Sequence, residues 1–426
     1  MTLAALFVVF GVVIVLETPI AFALGLASLS YLLLEGRTPL VILVQRMTSG
    51  LDSFPFLALP LFVLAGMIFS RAGIARRIYD FARTLVGHIR GGLAHVNVVG
   101  SMIFAGMSGT AQADAAGLGI IEIEEMKADG FDPAFAGAVT AASAVIGPII
   151  PPSVIMVIFC VMTEVSVADM FLGGFIPGIL MGLSLMTLIY WMAVTGRVHA
   201  PTLPRASLAE VRRVFWRALP ALVAPVLLIG GLLIGVATPT ELGAVVVVYG
   251  IGLGFAYRDL TWRDVWRLLR EAAVMYAVLV FIIAMAFPFG WLVAINQVPT
   301  AVARVLLDIS SDPWVILLLI NAVLFVAGCV METTAILIIS VPVFFPLARQ
   351  LGIDPVHFGM IVIVNLLIGT TTPPFGISLF ITMQIARVSF GAISLAIMPF
   401  LIPMVATLLL ITFFPEIVLF LPRLFR

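Results

Sequence analysis

A chain of 426 residues with 62% apolar and only 10% charged side chains, and a mean hydropathy of +1.24, cannot be a water-soluble globule. Soluble domains carry about 25% charged residues, and this chain has too few polar groups to cover a surface, so its solvent is lipid. The charges balance at 22 basic and 22 acidic residues, which excludes nucleic acid as a partner, because phosphate binding needs a basic excess on one face.

The apolar residues 2–34 lack a basic leader and run on into further membrane segments, which reads as mature structure rather than a signal peptide. Glu17, Thr18 and Pro19 divide them into two short helices, with the N-terminus outside. Further apolar stretches of spanning character follow at Phe54 to Phe69, Phe135 to Met162, Phe171 to Val194, Leu219 to Ala256, Ala272 to Ile295, Trp314 to Leu347, His357 to Ile385 and Ile393 to Phe414. Leu219 to Ala256 is long enough for two crossings, with a break at Thr238, Pro239 and Thr240. Three stretches, 71–90, 197–217 and 258–270, hold fourteen of the 22 basic residues, all arginine, and the positive-inside rule puts them at the cytoplasmic face. Cys160 and Cys329 lie in apolar runs, and the four histidines lack ligand spacing, so no metal cluster or organic cofactor is expected.

Two segments resist a simple crossing. Between Arg90 and Lys127 the middle of the stretch is small and polar, and Ser108, Gly109 and Thr110 read as the tip of a re-entrant helical hairpin. The next stretch, 134–162, carries Gly147, Pro148, Pro151 and Pro152 at its centre and must break there. The pattern recurs: Glu332, Thr333 and Thr334 interrupt one apolar run, and Gly369, Thr370, Thr371, Thr372, Pro373 and Pro374 break the next. Ser108 and Thr333 are 225 residues apart and Pro151 and Pro373 are 222 apart, so this is an internal repeat. An odd number of crossings separates the two copies, which makes them inverted.

The expected fold is therefore an all-α polytopic membrane protein with inverted repeats, two re-entrant hairpins and two discontinuous helices. Such breaks build the midplane sites of secondary transporters. Unwound carbonyls and Ser or Thr hydroxyls suit a hard cation, while half-helix N-termini suit an anion.

GMSGTAQADAAGLG, FDPAFAGAVTAASAVIGPIIPPS and IDPVHFGMIVIVNLLIGTTTPPFG resemble the large membrane subunit of tripartite ATP-independent periplasmic (TRAP) transporters, the DctM-like permeases, along essentially the whole chain. The resemblance implies an elevator-type permease of a bacterial inner membrane, with Na⁺ driving uptake of an organic acid anion. It also implies two partners, a small four-helix membrane subunit and a periplasmic substrate-binding protein. In that frame residues 1–92 form scaffold helices and an interfacial arm. Residues 93–195 are the first repeat, 196–271 central scaffold helices, and 272–426 the second repeat with the C-terminal helices. Carried over, the resemblance implies sodium at Ser108, Thr110, Gly147 and Ile150, and at Thr334, Gly369, Thr372 and the carbonyl of Phe375. Substrate would contact Ser108, Gly109, Thr110, Thr333, Thr334, Pro151 and Pro373.

Three further residues have supporting roles with open alternatives. Glu332, where many relatives have Asp, either contacts ion or substrate or caps the following helix, and Asp114 poses the same choice. Asn365 reads as a hydrogen bond between helices. The membrane core offers no arginine or lysine, so anion recognition would rest on dipoles, hydroxyls and bound sodium. A rival of another class, a serine intramembrane protease using Ser108 with His95 or His357, requires a histidine beside that hydroxyl. A stand-alone sodium-coupled symporter is the closer alternative.

Overall fold

The computed structural model describes residues 2–52 and 54–425, with side chains described for all of these except 54 and 55, and the described residues form helices and no strands. Helices α1 (Thr2–Val15) and α2 (Ile20–Glu35) part at Pro19, as expected, and Gly36 ends α2 at a left-handed φ of 66°. After α3 (Val41–Leu51) and a 3₁₀ turn (Phe54–Leu57), α4 (Ala58–Arg71) bends by 69° into α5 (Ile74–Val86). Helix α5 buries Ile74, Ala75, Ile78, Tyr79 and Ala82 and carries Arg76, Arg77 and Arg83, an amphipathic pattern suited to the membrane surface.

The first hairpin comprises α6 (Leu93–Ser108) and α7 (Ala111–Ala128), which pack against each other. The broken helix after it consists of α8 (Pro133–Ala144) and α9 (Val154–Thr163). Four long helices follow: α10 (Val167–Val194), α11 (Leu208–Leu233), α12 (Pro239–Ala256) and α13 (Trp262–Ile295). The double crossing expected between Leu219 and Ala256 is present as α11 and α12, and Thr238 forms a capping box with Glu241 at the break. Helix α14 (Val298–Ile309) turns by 118° into α15 (Pro313–Gly328), which makes the second hairpin with α16 (Thr333–Gln350). The second broken helix is α17 (Pro355–Gly369) and α18 (Ile377–Ala386), and α19 (Phe390–Phe413) and α20 (Pro415–Leu424) end the chain.

Six of these helices are long and apolar enough to cross a bilayer, or eight if each bent pair is one span. The arginine-rich stretch 258–270 is a loop only as far as Thr261; from Trp262 it is helical. At about 1.5 Å per residue the 34-residue α13 is about 50 Å long, more than a core of about 30 Å needs, so its charged first turns extend beyond the lipid. Helix α14, twelve residues with Arg304 and Asp308 in it, carries no spanning signal in the sequence.

The repeat is visible in the capping chemistry. Asp132 and Asp354, 222 residues apart, each cap a helix that begins with proline. Thr110 and Glu332, also 222 apart, cap α7 and α16, so the second tip aligns on these two residues rather than Ser108 on Thr333. One polar clamp per repeat ties hairpin to broken helix. Asn97 of α6 donates to Thr140 of α8 at 2.6 Å, and Asn365 of α17 donates to Asn321 of α15 at 2.7 Å. In a lipid-embedded bundle such bonds fix which faces meet, because apolar packing alone scarcely distinguishes protein from lipid.

Candidate functional site

Each hairpin tip is fastened to the break of its own repeat. The first tip runs from the end of α6 through Gly109, whose φ of 68° turns the chain, to the cap Thr110. The carbonyl of Gly109 accepts from Val154 N at 3.2 Å across the first break. At the second tip, the carbonyl of Cys329 accepts from Phe375 N at 3.2 Å across the second break. Small residues allow these approaches. The Cβ that Gly369 lacks would sit 2.7 Å from the backbone of Gly328. Gly174 and Gly178 of α10 likewise admit Ile149 and Ile150 of the first break.

The two fastened pairs face one cavity of about 700 Å³. Ser108, Gly109 and Thr110 line it from the first tip, and Glu332, Thr333 and Thr334 from the second. Pro148, Val154 and Ile155 join from the first break, Leu367 and Thr370 from the second. Helix α4 contributes Val63, Met67, Ser70 and Arg71, and α13 contributes Leu268, Glu271, Met275 and Leu279. Arg71 and Glu271 are exposed and sit where α4 ends and α13 emerges, so the cavity opens toward the arginine-rich face. The residues expected at a site thus fall into two groups. Five of them, Ser108, Gly109, Thr110, Thr333 and Thr334, meet in the cavity with Glu332, whereas Gly147, Ile150, Pro151, Gly369, Thr372, Pro373 and Phe375 stand outside its lining.

The oxygen chemistry differs between the two ends. Ser108 is buried and its Oγ has no hydrogen-bond partner. A Cβ on Gly147 would lie 3.3 Å from that Oγ and 3.4 Å from the Thr110 carbonyl, so a hydroxyl and a carbonyl converge where the glycine leaves room. The residues there fit a small hard cation, which takes oxygen donors of this kind. The Thr110 hydroxyl accepts from Ala113 N at 3.2 Å as a helix cap.

At the second end the threonine hydroxyls are engaged. Thr370, Thr371 and Thr372 donate to carbonyls three or four residues back, Thr372 to Ile368 O at 2.9 Å, and Thr334 donates to Glu332 Oε1 at 2.9 Å. Each hydroxyl oxygen keeps lone pairs for a cation. Phe375 is 58% exposed and joins the site only through its backbone.

Of the roles left open, Glu332 caps α16, its Oε2 accepting from Ala335 N at 3.0 Å. Asn365 is held by Asn321, as the helix-to-helix reading expects. Asp114 is buried outside the cavity lining and faces the Ser101 hydroxyl without closing a hydrogen bond to it. Neither histidine reaches Ser108: Nε2 of His95 pairs with the Arg90 carbonyl at 2.9 Å and Nε2 of His357 with Ile411 O at 2.8 Å, which removes the base the protease reading needs. Sequence reasoning missed Thr370, Pro148 and Arg71. The first two lie inside motifs it had marked. Arg71 reads in the sequence as a topology signal, and the fold sets it, exposed, on the cavity rim.

The whole of this architecture has known counterparts. The family description "Tripartite ATP-independent periplasmic transporter, DctM component" matches residues 7–417. The chain is 41% identical to the sialic acid TRAP transporter large permease protein SiaM of Vibrio cholerae, covering 96% of this chain and 95% of that one. It is 38% identical to the C4-dicarboxylate TRAP transporter large permease protein DctM of Pseudomonas aeruginosa, covering 94% of each. Among solved structures, the Alcanivorax borkumensis YdaH transporter, described as having an unusual topology, superposes with a TM-score of 0.65 over 88% of this chain and 87% of its own, at 15% identity.

Proposed function

This chain belongs to the DctM component family of tripartite ATP-independent periplasmic transporters, and on that ground we propose that it is the permease through which Na⁺ carries an organic acid anion across a bacterial inner membrane. It is a large transport permease and a multi-pass membrane protein, and its relatives are transporters rather than enzymes. The observation that carries the finer reading is the convergence of both tips and both breaks on one cavity.

In this reading Ser108, Thr110 and the backbone at Gly147 and Ile150 hold one sodium ion. Thr334, Thr372 and the carbonyls at Gly369 and Phe375 hold the second. The bound sodium supplies positive charge beside the cavity; the tips supply hydroxyls and helix N-termini to the cargo's carboxylate. Thr333, Thr334 and Thr110 begin helices and line the cavity, which supports that contact, whereas in this reading Pro151 and Pro373 act by breaking helices behind it. The two hairpins and two broken helices move as one body against α4, α5 and the central helices, an elevator motion that carries the cavity between faces. Cargo arrives on a periplasmic binding protein, and a small four-helix subunit completes the membrane part.

The test is uptake into proteoliposomes under an imposed Na⁺ gradient, with and without the small subunit and a loaded binding protein. Sialic acid and succinate serve as the cargo probes. Uptake that requires all components and the gradient is expected. Transport by this chain alone, or indifference to sodium, would overturn the proposal.

A further inference from the structure

Nothing in the transport reading uses Glu122, which like Asp114 is a buried carboxyl without a hydrogen-bond partner. It lies two turns beyond Asp114 on α7, is 1% exposed, and neither of its carboxylate oxygens has a hydrogen-bond partner. The carboxyl is accommodated by design of the neighbouring helix: an added Cβ on Gly100 of α6 would lie 3.0 Å from Glu122 Oε1. A second buried polar atom without a partner, Tyr79 Oη of α5, shares this neighbourhood.

No charge is available to balance an anion there. From α5, Arg76 and Arg83 are both engaged by Glu125, at 2.8 and 3.6 Å, and Asp80 pairs with Arg76 at 3.4 Å. From α6 the one titratable group is His95, turned to the Arg90 carbonyl. Helix α8 presents hydroxyls, Thr140 and Ser143, which are bonded to Asn97. Helix α18 presents the Thr382 hydroxyl, bonded within its own helix. Helix α4 brings Ser70 and, at the cavity rim, Arg71. On α7 itself Lys127 donates to the Ala386 carbonyl at 3.0 Å, and Asp114, buried and equally without a partner, brings no positive charge.

An ionised carboxylate in such a place costs several kcal/mol. A metal cation would need a cage of several oxygen donors, and the hydroxyls of α8 and α18 are already bonded within the protein. A proton needs neither cage nor counter-ion. We propose that hairpin 1 carries a proton on Glu122, a cation site separate from the cavity and from both sodium sites.

The site lies between the hairpin and the arm helix α5, so any displacement of α7 from α5 uncovers it to water. Glu122 therefore holds its proton when packed as here and releases it when uncovered at neutral pH. By linkage, the packed arrangement is favoured at low pH and loses that advantage as pH rises. The protein accordingly exchanges one proton with the cytoplasmic face in each cycle of hairpin movement, whichever cation drives the cargo.

The experiment is infrared spectroscopy of the chain in lipid nanodiscs in D₂O at neutral pH, needing no cargo, on wild type, Glu122→Gln and Asp114→Asn. The carbonyl stretch of a neutral carboxylic acid is expected in wild type, reduced by one carboxyl in Glu122→Gln and retained for Glu122 in Asp114→Asn. The melting midpoint of wild type should fall between pH 6 and pH 8 by more than that of Glu122→Gln. If Glu122→Gln fails to fold, Glu122→Asp made together with Asp114→Asn must keep a neutral-acid band, shifted in frequency. An identical acid band in wild type and Glu122→Gln, or no such band in that double variant when folded, overturns the proposal. Because none of these readouts involves sodium or cargo, their failure is distinct from failure of the transport reading.

Discussion

Replacing Gly369 with alanine probes the fastening of the second tip. The new Cβ would stand 2.7 Å from three backbone atoms of Gly328, its Cα, C and O. Carbon contacts settle at about 3.5–4.0 Å, so the tip must withdraw from the break by roughly 1 Å. No flexible side chain can yield in its place. Overpacking of this kind costs about 1–3 kcal/mol, which at roughly 2 °C per kcal/mol lowers the melting midpoint by about 2–6 °C. The reverse substitution, Gly328→Ala, is the internal control. Its Cβ would meet Gly369 Cα at 3.3 Å, a contact relieved by a few tenths of an ångström. Thermal unfolding in nanodiscs should therefore rank Gly369→Ala well below Gly328→Ala, with sodium-driven uptake following the same order. Equal midpoints for the two variants, or a lower one for Gly328→Ala, would refute the argument that backbone contact fastens tip to break.

Ser108→Ala removes the buried hydroxyl that has no protein partner, and uptake should then need several-fold more sodium for half-maximal rate with folding unchanged; an unaltered sodium dependence counts against a cation at the first tip. Asn97→Ala and Asn321→Ala each delete one polar clamp, and each should lower stability by about 0.6–2 kcal/mol in unfolding assays; an effect in one repeat and none in the other would deny the clamps equivalent roles. In a Cys160→Ala, Cys329→Ala background, Gln112→Cys on the cavity wall should react with an impermeant maleimide from the face carrying Arg71; labelling from the opposite face alone would reverse the assigned opening.

The amino-acid sequence determined by itself whatever depends on local chemistry and count. Arginines segregate into three stretches because the membrane sorts charge. Helices break at residues 147–152 and 369–374 because proline has no N–H to donate and glycine costs nothing sterically. The repeat followed from the spacing of those breaks, and the position of the N-terminal division from Pro19. The family was legible because its motifs sit at these same breaks.

Tertiary structure decided what depends on meetings between distant segments. Glu332 caps its own helix locally, but only the fold brings it to a cavity shared with the first tip, and Asn365 needed Asn321, 44 residues away, to declare its role. Arg71 reads as a surface charge until the bend between α4 and α5 sets it on the cavity rim. Nothing in the sequence sets Glu122 apart from Glu124 and Glu125; only the packing of α5, α6 and α8 around α7 removes its water. A residue's type states what it can bond, while its solvent and its partners are set by chain that returns from far away, and in this protein those returns assemble the site.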